Sequence, residues 1–152
     1  MNASTITFNT DSVAMPAIDH EAIRQWVARV AESYGRKCAP INYIFCNDDR
    51  IIEVNRQFLQ HDYYTDIITF DYSHGTRISG DLFISLDTVR TNSEQQHTTY
   101  DEELHRVIIH GILHLCGIND KGPGEREIME AAENRALAMY NIYSRPKPVN
   151  RQ

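Results

Sequence analysis

Several things are scarce in this chain of 152 residues, and each scarcity excludes a class of protein. No apolar run approaches the roughly 18 residues that a membrane-spanning helix needs, so no part of the chain is expected in a bilayer. Cysteine is sparse: Cys38, Cys46 and Cys116 are an odd number at no paired spacing, which argues against a disulfide framework. The stretch from Met1 to Ile6 is short and polar, without the pattern of a signal peptide. Together these lead us to expect a reducing cytoplasm. Excess positive charge is missing too. Lys and Arg number 15 against 21 Asp and Glu, a formal net charge of −6, which disfavours broad electrostatic binding to nucleic acid without excluding a local contact. No internal repeat, low-complexity tract or linker divides the sequence, which leaves one domain long enough to bury a real core. We take that domain as residues 1–143. Residues 144–152 carry three cations, two prolines and no anion, and read as a flexible basic tail.

What the chain does have is regular apolar patterning. Ile6 to Phe8 reads as a short strand. His20 to Ser33 sets Ile23, Trp26, Val27 and Val30 at helical spacing, capped by Asp19 and followed by Gly35. Ala39 to Cys46 reads as a strand, and Asn47 or Asp48 opens a helix to about Leu59 with Ile51, Ile52, Val54 and Phe58 as its apolar face. Ile67 to Asp71 and Ile78 to Ser85 are further strands, joined by a turn-rich loop and the second interrupted by Gly80. Leu86 to about Gln95 is helical. Thr99 and Glu102 make a capping box for the next helix, and Asp101, Glu102 and Glu103 complement its dipole. Gly122-Pro123-Gly124 breaks the chain before a last helix from Glu125 to Tyr140. The mixture predicts an α+β fold, a single compact domain whose small mixed β-sheet packs with helices.

The most informative stretch runs from His110 to Asp120. His110 and His114 are four residues apart, so on a helix they share one face a turn apart and their ring nitrogens can reach one metal ion. Val107, Ile108, Ile109, Ile112, Leu113 and Leu115 make that helix apolar almost all round, hence buried, and two imidazoles in such surroundings need partners. A shared cation supplies one for both; ordinary hydrogen bonds are the plainer alternative. Gly117 offers a left-handed stop, after which Asp120 is the third candidate ligand. Three protein ligands with an open fourth position describe a catalytic zinc rather than a structural one. The metal site therefore falls at the C-terminal end of a buried helix. Cys116 lies about 200° round the helix from His114 and reads as a core thiol. The His-Glu-x-x-His zinc-protease reading fails, because position 111 is glycine and has no side chain to activate water.

Three blocks taken together resemble the YbeY-type rRNA maturation factors, metal-dependent single-strand endoribonucleases of bacteria. His110-Gly111-Ile112-Leu113-His114-Leu115-Cys116-Gly117 is similar to the family's His-Gly-x-Leu-His-Leu-x-Gly. Asn55 to Phe70, with Asp62, Thr65 and Asp66, resembles a second block, and Gly80-Asp81-Leu82-Phe83-Ile84-Ser85 a third. The three span about residues 54 to 121 in the expected order, far more specific than any one alone. Three positions depart from the family's common form. Its third ligand is a histidine preceded by aspartate, where this chain has Asn119 and Asp120; and an arginine common in the family is here Leu59.

The resemblance implies single-stranded RNA, and rRNA in particular, as substrate, the ribosome or ribosomal proteins as partners, and a role in rRNA maturation and ribosome quality control. The metal set would be His110, His114 and Asp120 around one Zn2+. Replacing a neutral imidazole by aspartate lowers the formal charge of the site from +2 to +1, which makes bound water less acidic and widens the choice toward manganese, iron or nickel. Asp66 and Asp81 are candidates for orienting a histidine or accepting a proton, because the matching family segments put them near the metal end of the sheet; turn or cap carboxylates are the alternative. Asn55 is a candidate contact to substrate. A second reading is a ribosome-assembly binding protein with a largely structural metal and little catalysis, favoured by the acidic balance and Leu59. A third is a non-haem iron oxygenase, since two histidines and a carboxylate also make a facial triad. The oligomeric state is left open.

Overall fold

The structure is a computed structural model that describes residues 5–59 and 65–144, with side chains to residue 140. Its elements in chain order are β1 (Ile6–Thr10), α1 (His20–Ser33), β2 (Lys37–Cys46), α2 (Asp48–Val54), β3 (Ile67–Asp71), β4 (Arg77–Ser85), α3 (Leu86–Gln96), α4 (Tyr100–Leu115) and α5 (Glu125–Ser144). A π-helical turn, Asn55–Leu59, continues α2, so the expected single helix to Leu59 changes its winding at Asn55. The strands form one sheet in the order β1-β2-β4-β3, parallel across β1, β2 and β4 and antiparallel between β3 and β4. This is the expected α+β domain with a small mixed sheet. Among the described residues no helix is long and apolar enough to cross a membrane.

Local chemistry starts the helices where the sequence predicts. Asp19 Oδ1 accepts from the Ala22 amide at 3.0 Å, and Asn47 Oδ1 from Arg50 at 2.9 Å, each satisfying an orphan donor of a first turn. Thr99 and Glu102 close the capping box at 3.0 and 3.1 Å. The irregularity expected at Gly80 falls elsewhere. β4 runs through Gly80 unbroken, while the register shift lies on β2 between Cys38 and Ile41, the segment that holds Pro40. The C-terminal helix runs beyond Tyr140 to Ser144, so the first residue assigned to the tail belongs to α5; the rest of the tail, 145–152, lies outside the described residues.

Helices α1 and α4 cover one face of the sheet, and α5 packs against both of them. Ile6, Ile41, Tyr43, Phe45, Leu82 and Ile84 from the strands are fully buried there against Trp26, Val27, Ile108 and Ile112. Two buried polar atoms within this core are satisfied by helix carbonyls: Tyr43 Oη donates to Ile108 O at 2.8 Å, and Trp26 Nε1 to Ala136 O at 2.7 Å. A smaller cluster, Cys46, Ile51, Val54 and Ile68 with Phe70 and Phe83, covers part of the opposite face beneath α2. α4 approaches the sheet closely. A Cβ on Gly111 would run into Leu82 Cδ2 and lie 2.9 Å from Ile67 Cδ1, so this glycine marks a contact between helix and sheet.

Candidate functional site

The end of α4 is built so that the chain doubles back over its own last turns. Leu115 is the final helical residue, and Gly117 takes φ +100°. The Ile118 amide then donates to Leu113 O at 3.1 Å and the Gly117 amide to His114 O at 2.9 Å, the paired bonds of a Schellman motif. Ile118 packs onto the core, which pins the reversal. Asp120 is thereby carried back to His110, with Oδ2 at 3.4 Å from Nε2.

His110 is held from its other side by a residue that the sequence did not single out. Glu133, on α5, accepts from His110 Nδ1 through Oε2 at 2.7 Å and from Arg106 Nη1 through Oε1 at 2.7 Å, and its side chain is 8% exposed. Arg106 Nη2 also donates to Asn134 Oδ1 at 2.8 Å. Arg106 and His110 are one turn apart on α4, so both meet the same position of the packed helix α5. Ala132 and Ala136 are buried on α5 beside Glu133. A glutamate sharing that apolar stripe was the available signal.

The electrostatics follow from this packing. Burial pulls the His110 pKa down, but the hydrogen bond and charge of Glu133, joined by Asp66 and Asp120, outweigh it and hold the ring above its ordinary value. Burial pushes Glu133 up, and the bonds from His110 and Arg106 more than reverse that, leaving it below the usual carboxylate range. Asp66 is raised, because its burial exceeds the relief from nearby His110; Asn92 Nδ2 donates to its Oδ2 at 3.4 Å. Glu103 is raised by burial and by the charge of Asp66. These groups line a cleft of about 540 Å³ together with Asp120, Glu130 and Arg126. Carboxylates outnumber cations in its wall.

Of the residues singled out from sequence, His110, Asp120 and Asp66 share this cleft. His114 is exposed on the last turn of α4, a turn beyond His110. Asp81 stands elsewhere. Leu82 meets α4 at Gly111 and Gly80 lies toward Leu115, so strand alternation turns Asp81 to the opposite face, where Tyr72 Oη donates to it at 3.2 Å. That parity leaves Asp81 out of the wall of the cleft that holds His110. Asn55 is buried, at 1% exposure, and does not present itself to a substrate from the helix surface. Leu59 is 39% exposed on the π-helical turn. Asp62 lies outside the described residues.

Among the described residues no group of three histidine, cysteine, aspartate or glutamate side chains is gathered closely enough to hold a metal ion. The donor chemistry at His110 nonetheless fits one. With Nδ1 donating to Glu133, a neutral ring turns the Nε2 lone pair on the Asp120 carboxylate, and two acceptors facing each other are reconciled by a proton or by a cation. His114 projects from the same helix face one turn further on, where Cβ atoms are about 6 Å from each other.

The family model described as "Endoribonuclease YbeY" matches residues 5–141. The chain is 69% identical over 134 residues to the endoribonuclease YbeY of Parabacteroides distasonis, covering 88% of this chain and 94% of that one. It is also 69% identical to the endoribonuclease YbeY of Bacteroides thetaiotaomicron, covering 88% and 98%. To that of Porphyromonas gingivalis the identity is 49%, over 88% of this chain and 89% of the relative. In fold, the chain is similar to the solution structure of TM1509 from Thermotoga maritima, with a TM-score of 0.63 and 23% identity over 96% of this chain and 99% of that one.

Proposed function

The chain belongs to the endoribonuclease YbeY family, and on that premise we propose that it is a metal-dependent endoribonuclease that cuts single-stranded RNA in rRNA maturation and ribosome quality control. The observation that carries the metal dependence is the clamped ring of His110, held at Nδ1 by Glu133 and facing Asp120 with Nε2. His110, His114 and Asp120 are the residues that would hold the ion, zinc first among the candidates, with the ribosome as the setting. Bound there, zinc would supply a Lewis acid for a phosphoryl oxygen and lower the pKa of water.

The chain's own residues supply the rest. Asp120 and Glu133 bracket His110, so the ring keeps its orientation while substrate enters and leaves. Asp66, whose carboxyl burial holds above its usual range, is the group suited to hold a proton beside the cleft. Arg126 lines the cleft with its side chain 80% exposed, 3.9 Å from Glu130, and can turn to a phosphate. The carboxylate-rich wall repels an RNA backbone until a cation offsets it, which is itself a reason for the activity to need metal. The same wall, with Leu59 at the arginine position, favours a second reading, a ribosome-assembly binding protein with a structural metal.

Metal analysis of gently purified protein, paired with cleavage of single-stranded RNA, tests the proposal. We expect close to one equivalent of transition metal per chain, and cleavage that stops on chelation and in His110→Ala. A metal-free preparation, or cleavage that persists through both treatments, refutes it. Bound metal without cleavage, in a protein whose deletion still disturbs rRNA processing, selects the binding reading.

A further inference from the structure

Glu133 lies outside the histidine motif, yet it is the carboxylate most firmly engaged with it. Its two oxygens have different partners: Oε2 takes His110 Nδ1 and Oε1 takes Arg106 Nη1, both at 2.7 Å. We propose that Glu133, oriented by Arg106, is a positioning residue that fixes His110 in the tautomer protonated at Nδ1 and so delivers the Nε2 lone pair to the cation. The inference rests on the metal-dependent reading above.

The reasoning is a count of donors and acceptors. A guanidinium is donor-only and stays charged, so the oxygen facing Arg106 must accept. An ionised carboxylate is acceptor-only, so the oxygen facing the ring must also accept, and Nδ1 has to carry the proton. A neutral imidazole has one N–H, which leaves Nε2 bare on the side where Asp120 stands at 3.4 Å. Asn134 Oδ1 accepts from the other arm of Arg106 at 2.8 Å and keeps the guanidinium in place. A purely structural role, an ion pair tying α4 to α5, would need Arg106 and the charge of Glu133 but would be indifferent to the tautomer.

Glu133→Gln separates the two. The side chain keeps its size and can still bond Arg106, but only through its amide oxygen. The amide NH2 then faces Nδ1, which must become an acceptor, and the ring proton moves to Nε2. We expect 15N NMR of the metal-free protein, at a pH where the ring is neutral, to show the Nδ1–H tautomer in the wild type and the Nε2–H tautomer in Glu133→Gln. Zinc affinity, measured by competition with a chromophoric chelator, should fall about 10- to 100-fold. Adding Arg106→Met frees the amide to turn its oxygen to Nδ1, so the double variant should regain the original tautomer and most of the affinity, although its fold is weaker. A wild-type ring protonated at Nε2 overturns the proposal without any variant. So does a folded Glu133→Gln protein with unchanged tautomer and zinc affinity. Wild-type protein that binds no zinc defeats the metal-dependent reading instead, while the tautomer still judges Glu133.

Discussion

Gly117→Ala probes the link between the end of α4 and the candidate ligand that follows it. The nearest atom to a Cβ at this position, apart from its chain neighbours, is Arg36 Nη2 at 3.7 Å, an ordinary contact, so crowding contributes little. The cost is in the backbone: φ is +100°, where an L-residue is strained by about 1–2 kcal/mol. Alanine also restricts the unfolded chain, which returns about 0.4–1 kcal/mol, for a net loss near 1 kcal/mol. In a domain of this size that lowers Tm by about 2–4 °C. The strain is relieved when the bonds from Ile118 to Leu113 O and from Gly117 to His114 O open, and opening them releases Asp120. About 1 kcal/mol then reduces the fraction of chains with Asp120 in place, and zinc affinity falls by up to about fivefold. Ile23→Val, in the core of α1, is the control: it costs about 0.5–1.5 kcal/mol and has no connection to Asp120. Thermal melts followed by circular dichroism give the stability term, and chelator competition the affinity. If Gly117→Ala weakens zinc binding no more than Ile23→Val at matched loss of Tm, the argument that this turn presents a ligand is wrong.

Three further expectations follow from the same geometry. Asp120→Ala should lose metal on purification whereas Asp120→His retains it, read by metal content; equal retention in both removes Asp120 from the ligand set. The thiols of Cys38 and Cys116 are pushed from 9.0 up to about 11 and that of Cys46 up to about 12, chiefly by burial. Since the folded state holds these protons more tightly, the stability they contribute is full below pH 9 and is lost as pH rises toward 11 to 12; urea midpoints should fall over that range, and alkylation at pH 8 should require unfolding. Thr99→Ala removes the capping box of α4 and should cost about 1 kcal/mol, with faster hydrogen exchange at the Glu102 amide.

What was legible in the sequence is what is decided over a few residues. The caps at Asp19, Asn47 and Thr99, and the stop at Gly117, are bonds between near neighbours, and each formed where the residue types allow. The convergence of Asp120 on His110 belongs to the same class, because one turn motif carries it. Asp81 shows where this reach ends. The alternation of Ile78, Gly80, Leu82 and Ile84 already put Asp81 on the other side of the strand, but nothing local says which side the histidine helix covers. That is fixed by how α4 crosses β4, a contact between distant parts of the chain.

Glu133 is the sharper case, and it changes how the histidine motif should be understood. The spacing of His110 and His114 supplies two rings on one helix face, but a ring that can spin or exchange tautomers is a poor ligand. Here the determinant of its state is 23 residues away in sequence, on a helix whose register against α4 is set by small and apolar neighbours such as Met129, Ala132 and Ala136. Packing of α5 therefore controls the chemistry of α4. A substitution that shifts α5 by even a fraction of a turn would lengthen the 2.7 Å bond to Nδ1 while leaving every residue of the motif unchanged.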